Sequence, residues 1–324
     1  MDRTKGAKPP ARGIYPRVVW HLLFSKKNVW HYKSSAFIQN LNLKTMIKYT
    51  ASAPLPFAGQ KRRWIKPLAQ LLQTTPPPNV IVDLFGGSGL LSRLAKDIFQ
   101  NTRVIYNDYD NFSERLKHID ETELLRQEIA TILSPLDRDK RLPDEYKARV
   151  LQSVYRHQER YLYVDWVSLS GWLLFTNNFA YDFDDFASRG FYNHPSRTAL
   201  SDANASERYL DGLEIVSLDY KELLSKYREH PNVLFIIDPP YFATECGGYK
   251  GRTWSNDDYL DLLVSIPTSN YLYFSSTKFD LVPFLRRTSA SWGYRHPFVD
   301  AEVLTRSNPF GSGGNNTEIL YYKL

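Results

Sequence analysis

The chain has almost no cysteine: Cys246 is the only one among 324 residues. A single thiol forms no internal disulfide and supplies no multi-cysteine metal site, so an apolar core must hold the fold together. No apolar run approaches the roughly 18 residues that a membrane-crossing helix needs. The seven histidines show no ligand spacing, and no internal repeat is present. Acid is scarce at one end, since the residue that follows Asp2 in the acidic series is Asp83. A soluble protein of a reducing compartment is the simplest expectation.

What is present is enough for a large core. A hydrophobic content of 43% over this length supports one large or two modest domains. The net charge of +6 is unevenly placed, because residues 1–50 carry ten Lys/Arg against one acid while the remainder is slightly acidic. Bulk charge therefore says nothing for nucleic-acid binding by the body of the chain. Residues 1–45 show no helical or strand period, and Met46 stands just before the first motif. We read Met46 as a candidate natural start, with residues 1–45 a basic extension outside the native protein; a nucleic-acid arm and a targeting peptide are the competing readings.

From residue 79 onward, short apolar runs alternate with helical patterns, which predicts a parallel α/β sheet. Asn79 to Phe85 reads as a buried strand ending in a glycine turn. Ser88 to Phe99 reads as a helix with Leu90, Leu91, Leu94, Ala95 and Ile98 on one face, and Thr102 to Tyr106 as a second strand. The rhythm then stops for about a hundred residues, which favours a second, smaller domain over a structureless loop. Within it, Glu145 to Tyr163 is an amphipathic helix pattern: Val150, Leu151, Val154 and Tyr155 share one side, and Arg149, Arg156 and Arg160 the other. Residues 164–211 show no clear period. Alternation returns with strands at Glu214 to Leu218 and Val233 to Ile237, separated by a helix at Tyr220 to Glu229. Tyr271 to Ser275, Phe298 to Leu304 and Ile319 to Lys323 complete the strands, the last two joined as a hairpin through loop 305–316.

Two constellations carry chemistry. Asp83-Leu84-Phe85-Gly86-Gly87-Ser88-Gly89 lies at the carboxyl end of the first strand, where open α/β sheets bind ligands. Its spacing departs from the dinucleotide G-x-G-x-x-G pattern. Asp108, at the tip of the next strand, is placed to accept hydrogen bonds from ribose hydroxyls, so the two together predict an adenosine site. The second constellation is Asp238-Pro239-Pro240-Tyr241. Two prolines stop a buried strand abruptly and turn the Pro239 carbonyl outward. An exocyclic amino group has two hydrogens, and the Asp238 carboxylate with that carbonyl offers two acceptors. Tyr241 adds a flat surface on which a base can stack.

These motifs, in this order, make the chain resemble the Dam-like (D12 class, alpha group) adenine-N6 DNA methyltransferases. Pro56-Phe57-Ala58-Gly59-Gln60-Lys61 is similar to the family's opening Phe-x-Gly-x-Lys motif, which lines the methionine end of the cofactor. Asp83 to Gly89 resembles its glycine motif, Asn107-Asp108 its ribose acid, and Asp219-Tyr220 the Asp-Phe pair beside the cofactor adenine. Asp238 to Tyr241 resembles the catalytic tetrapeptide. The resemblance covers residues 53–110 and 213–324 and is faint in between, around Ser170-Gly171-Trp172.

The resemblance implies an α/β fold: a Rossmann-like sheet, mostly parallel with a C-terminal antiparallel hairpin, plus an inserted, largely helical target-recognition domain. The expected boundaries are 46–110 and 213–324 for the methyltransferase domain and 111–212 for the insertion. It implies S-adenosylmethionine as cofactor, held by Phe57, Gly59, Lys61, Asp83, Phe85, Gly86, Gly87, Gly89, Asp108, Asp219 and Tyr220. Asp238, Pro239, Pro240 and Tyr241 would catalyse methyl transfer to N6 of a flipped-out adenine, without a metal. The expected partner is double-stranded DNA, the expected state a cytoplasmic monomer, and a cognate restriction endonuclease a further candidate partner. The loop with Gly247-Gly248-Tyr249-Lys250-Gly251-Arg252 is a candidate contact to the strand around the flipped base. Two alternatives stay open: methylation of a guanine amino group in ribosomal RNA, and a catalytically silent DNA-binding partner of a restriction system.

Overall fold

The computed structural model describes residues 48–324 except 139, 176–177, 193, 196–198, 201–205, 207, 241–253, 278–279, 293–295 and 311–313. Tyr241, Cys246, the glycine-rich loop after it and residues 1–45 lie outside the described residues.

Seven strands form one sheet: β1 (Val80–Asp83), β2 (Arg103–Asn107), β3 (Leu213–Val216), β4 (Val233–Ile237), β5 (Tyr271–Ser276), β6 (Glu302–Phe310) and β7 (Gly314–Lys323). Their order is β3-β2-β1-β4-β5-β7-β6. Pairs from β3 to β5 are parallel. β7 enters antiparallel to both β5 and β6. Strand order reverses between β1 and β4, and such a switch point opens a crevice at the carboxyl ends of the strands.

The central strands are apolar throughout because both faces are covered, as parallel sheets require. On one face Val82, Phe235, Ile237 and Tyr273 pack with Leu223, Leu262 and Val282. These last three come from α8 (Tyr220–Tyr227), α9 (Asn256–Ser265) and α10 (Val282–Trp292), numbering the helices in chain order. On the other face Ile81, Val104, Ile236 and Phe274 meet α1 (Ile65–Leu72) and α2 (Leu90–Ile98) through Leu68, Leu72, Leu91 and Leu94. Each fully buried Leu, Ile or Phe contributes about 1.5–3 kcal/mol.

Between β2 and β3 the chain is helical: α3 (Phe112–Lys117), α4 (Ile119–Leu133), α5 (Asp144–Tyr161), α6 (Trp166–Leu173) and α7 (Phe183–Ser188). They close on a core of their own, with Leu125, Ile129, Val150, Val154, Leu169, Trp172 and Phe186 at its centre. A smaller cluster of Leu55, Phe112, Leu116, Ile119 and Tyr209 lies beside the segment that enters the first helix. Asp165 and Asp182 cap α6 and α7 by accepting from Ser168 N and Asp185 N.

The sequence expectations need four corrections. Phe298 is not in a strand; it is a fully buried ring in a turn that precedes β6. The hairpin strands run further than expected, through most of the supposed loop 305–316. Residues 164–211, read as aperiodic, contain α6 and α7. Tyr155, placed on the apolar side of α5, is 54% exposed. Among the described residues no helix is long and apolar enough to cross a membrane.

Candidate active site and cofactor cleft

A cavity of about 180 Å³ opens at the carboxyl ends of β1, β2 and β4. Its walls bring together Phe57, Gly59, Lys61, Phe85, Gly86, Gly87, Asp219, Tyr220, Asp238 and Pro240, drawn from four separate stretches of sequence. Asp83, Gly89, Asp108 and Pro239 are close in sequence to these residues but do not line the cavity.

The turn after β1 is shaped by how near other groups come to it. A Cβ on Gly86 would stand 2.3 Å from the Tyr106 ring, and one on Gly87 would stand 2.9 Å from the Phe57 ring at a φ of +48°. Only glycine fits both demands without displacement. The Tyr106 hydroxyl donates to the Gly87 carbonyl at 2.7 Å, which fixes the turn from behind. Tyr209 does the same from the helical segment, donating to the Ser88 carbonyl at 2.9 Å.

Asp83 sits beneath this turn, 1% exposed. The Ser92 hydroxyl of α2 donates to its Oδ2 at 2.7 Å, while Oδ1 has no hydrogen-bond partner among the described residues. Burial, with a smaller contribution from the nearby Asp238 carboxylate and against the Ser92 bond, pushes its pKa up to about 7. Asp108 is likewise committed internally: its carboxylate accepts from the N–H groups of Phe112 and Ser113, and its Oδ1, 3.0 Å from the Tyr106 hydroxyl, shares that single hydrogen with the Gly87 carbonyl. Asn107 at the end of β2, and Tyr109 and Asp110 just beyond it, are the residues that line the cavity here.

Asp238 leaves the end of β4 and meets Lys61. The ammonium lies 2.6 Å from its Oδ2, with the lysine side chain 4% and the aspartate side chain 17% exposed. Lys61 Nζ also donates to the Gly59 carbonyl at 3.0 Å and lies 5.5 Å above the Phe274 ring of β5. Its backbone is pinned close by: Trp64, wholly buried, packs edge-on against Phe274 and donates from Nε1 to Glu318 on β7 at 2.9 Å. Burial raises the Asp238 pKa and the lysine charge opposes that rise. A Lys-Arg-Arg run reads as solvated cations in sequence; in space, its first member is the partner of the strand-end aspartate.

The far wall is aromatic. Phe85, Tyr220 and Trp254 stand 5.2–5.4 Å apart, centroid to centroid. Asp219 caps α8 by accepting from Lys221 N at 2.9 Å. Asn107 clamps the floor, donating to the Leu84 and Leu218 carbonyls at 2.9 Å each and accepting from Leu218 N at 3.0 Å. Sequence reasoning missed Trp254, Tyr109, Asp110 and the clamping role of Asn107. Asn107 and Asp110 flank the expected ribose acid, so a search one to two residues to either side would have found them; Trp254 carries no signal of spacing.

Flat rings, a backbone that a Cβ would obstruct, and carboxylates at 110 and 219 suit a nucleoside that carries a positively charged group. Among the described residues no cluster of His, Cys, Asp or Glu could hold a metal ion.

This sheet order with its antiparallel seventh strand, and a glycine turn beside an Asp-Pro-Pro strand end, define a Rossmann-like methyltransferase. Residues 57–270 match the D12 class N6 adenine-specific DNA methyltransferase family. A protein of Haemophilus influenzae described as a "Putative methyltransferase" is 36% identical over 251 residues, which span 75% of this chain and 82% of the relative. The chain belongs to the D12 class N6 adenine-specific DNA methyltransferase family.

Proposed function

We propose that the protein transfers a methyl group from S-adenosylmethionine to the N6 amino group of an adenine flipped out of double-stranded DNA. The observation that carries this is the Lys61–Asp238 pair at the cavity wall, a buried lysine against a partly exposed aspartate at the carboxyl end of β4. A carboxylate held beside a cation at the edge of a nucleoside-sized cleft is an acceptor for an amino hydrogen.

In this reading the cleft residues divide the work. Gly86 and Gly87 let the backbone close on the adenosyl moiety, and Phe85, Tyr220 and Trp254 flank its ring. S-adenosylmethionine, when bound, supplies a methyl group activated by its sulfonium. Asp238 accepts one N6 hydrogen and the Pro239 carbonyl the other, which turns the nitrogen lone pair toward the methyl group. Tyr241, next in the chain, is assigned to stacking on the adenine, worth about 1–3 kcal/mol. Lys61 opposes the effect of burial on Asp238 and so favours its ionised form. Asp83 anchors the glycine turn through Ser92. Positioning carries most of the rate in such a site, and no covalent enzyme intermediate is needed.

Incubation with labelled S-adenosylmethionine and unmethylated duplex DNA, followed by digestion to nucleosides, tests the proposal. Label in N6-methyldeoxyadenosine is expected. Label in another nucleoside, or transfer to ribosomal RNA but not to DNA, overturns it.

A further inference from the structure

A buried ion pair joins three segments that are distant in sequence. Arg115 on α3 and Asp165 at the start of α6 are 8% and 4% exposed. They meet as a fork, Nε to Oδ1 at 3.0 Å and Nη2 to Oδ2 at 3.0 Å. The same Nη2 donates to the Pro56 carbonyl at 2.8 Å. Ser168 braces the carboxylate from α6, its hydroxyl donating to Oδ2 at 2.7 Å and its N–H to Oδ1 at 3.3 Å. Arg115 Nη1 is buried with no acceptor among the described residues. Two desolvated charges and an unpaired donor are a poor source of stability compared with apolar packing, so the arrangement is better explained by what it positions.

What it positions is the wall of the cleft. Pro56 precedes Phe57, whose ring faces Gly87 and lines the cavity. The Phe57 ring stands edge-on to Phe112 at 5.9 Å, and the Arg115 guanidinium lies over that same Phe112 ring at 5.2 Å. Arg115 thus holds Phe57 twice, through the carbonyl before it and through the ring beside it. Neither Arg115 nor Asp165 lines the cavity.

We propose that Arg115 is a positioning residue for the cofactor cleft, and that Asp165, on a helix of the insertion between β2 and β3, sets cofactor affinity from outside that cleft. The inference rests on the assignment of the cleft to S-adenosylmethionine. It makes the insertion part of the cofactor site. By linkage, a load that shifts α6 changes affinity in the cleft, and occupancy of the cleft acts back on α6 with equal free energy.

Isothermal titration of the full chain with S-adenosylhomocysteine separates positioning from folding, because the dissociation constant and the binding-competent fraction are fitted independently. Asp165→Asn and Arg115→Lys are each expected to weaken binding by about 10-fold with the competent fraction near that of wild type. The double variant R115M/D165L replaces the pair by apolar side chains that retain the packing, and it covers the case in which a single variant fails to fold. It is expected to bind as weakly as the single variants. Wild-type affinity in folded variants, with only the competent fraction or the melting temperature lowered, overturns the inference, and so does restored affinity in the double variant. Wild-type protein that takes up no S-adenosylhomocysteine overturns the cofactor assignment itself, and this inference with it.

Discussion

Neighbouring strands β1 and β4 lead into aspartates on the same side of the sheet, the buried Asp83 and the partly exposed Asp238, and the two carboxylates keep different company. Asp238 has an ammonium at 2.6 Å and lines the cleft. Asp83 has a serine hydroxyl, one oxygen without a hydrogen-bond partner among the described residues, and no place in the lining. Burial raises both pKa values, but only at Asp238 does a cation oppose it. The difference teaches that a cation delivered by the fold works against the cost of burying a strand-end carboxylate, and so favours its ionised form. Without one, it is a group that prefers its proton near neutrality.

The largest expected effect is at the compensated site. Asp238→Asn exchanges an acceptor for an amide that can turn a donor toward the amino group. Methyl transfer should fall by about 1000-fold, or roughly 4 kcal/mol, while S-adenosylhomocysteine still binds. A variant within ten-fold of wild type at saturating cofactor would show that the carboxylate is not the acceptor.

The uncompensated site should respond in stability. The Asp83 pKa is raised in the folded state, so its contribution is fully favourable below its ordinary value of 3.8 and is lost as pH rises through about 7. Asp83→Asn removes that dependence, and should stabilise the ligand-free protein by about 2–4 kcal/mol at pH 8 and by nearly nothing at pH 4. Urea unfolding at the two pH values checks it; an equal effect at both would mean that the carboxyl is not held near neutrality.

Converting the first site into the second is the third way to sharpen the contrast. Lys61→Met deletes the charge that holds the Asp238 pKa down, so that pKa climbs further. The acid-side loss of activity should then move to higher pH. Superimposable pH profiles would show that Lys61 acts elsewhere. The smallest effect should come from Arg103–Glu214, an ion pair of 2.7 Å whose side chains are 49% and 41% exposed. Arg103→Ala should change stability by less than about 1 kcal/mol, since exposed pairs are screened by solvent. A larger loss in thermal unfolding would break the claim that burial, and not ion-pair length, separates these sites.

Legibility in the sequence followed burial. β1, β2 and β4 were readable because their apolar runs are covered on both faces, and α5 because Val150 and Val154 recur on one face beneath charged neighbours. α6 was not, since five of its eight residues are buried and no polar stripe marks it. Phe298 misled because it is as buried as any strand residue, yet it packs from a turn against Tyr271, Tyr273 and Tyr321. At the site, the glycine turn and the Asp-Pro-Pro run were legible, since both impose backbone geometry that few residues tolerate. The Lys61–Asp238 and Arg115–Asp165 pairs were not, because they form through space between segments that share no spacing. Asp108 shows the same limit in reverse: it stands at a strand tip in sequence, but in space its oxygens accept from the first N–H groups of α3 and it does not line the cleft.

The most direct test of the central claim, that the Asp238 carboxylate directs a methyl group onto an adenine amino nitrogen, is a single-turnover transfer of labelled methyl to duplex DNA by wild type and Asp238→Asn, with every labelled nucleoside identified. The account predicts N6-methyldeoxyadenosine as the sole labelled product of wild type and its near-disappearance in a variant that still binds S-adenosylhomocysteine. Label on any other base, or undiminished N6-methyldeoxyadenosine from the variant, would contradict it.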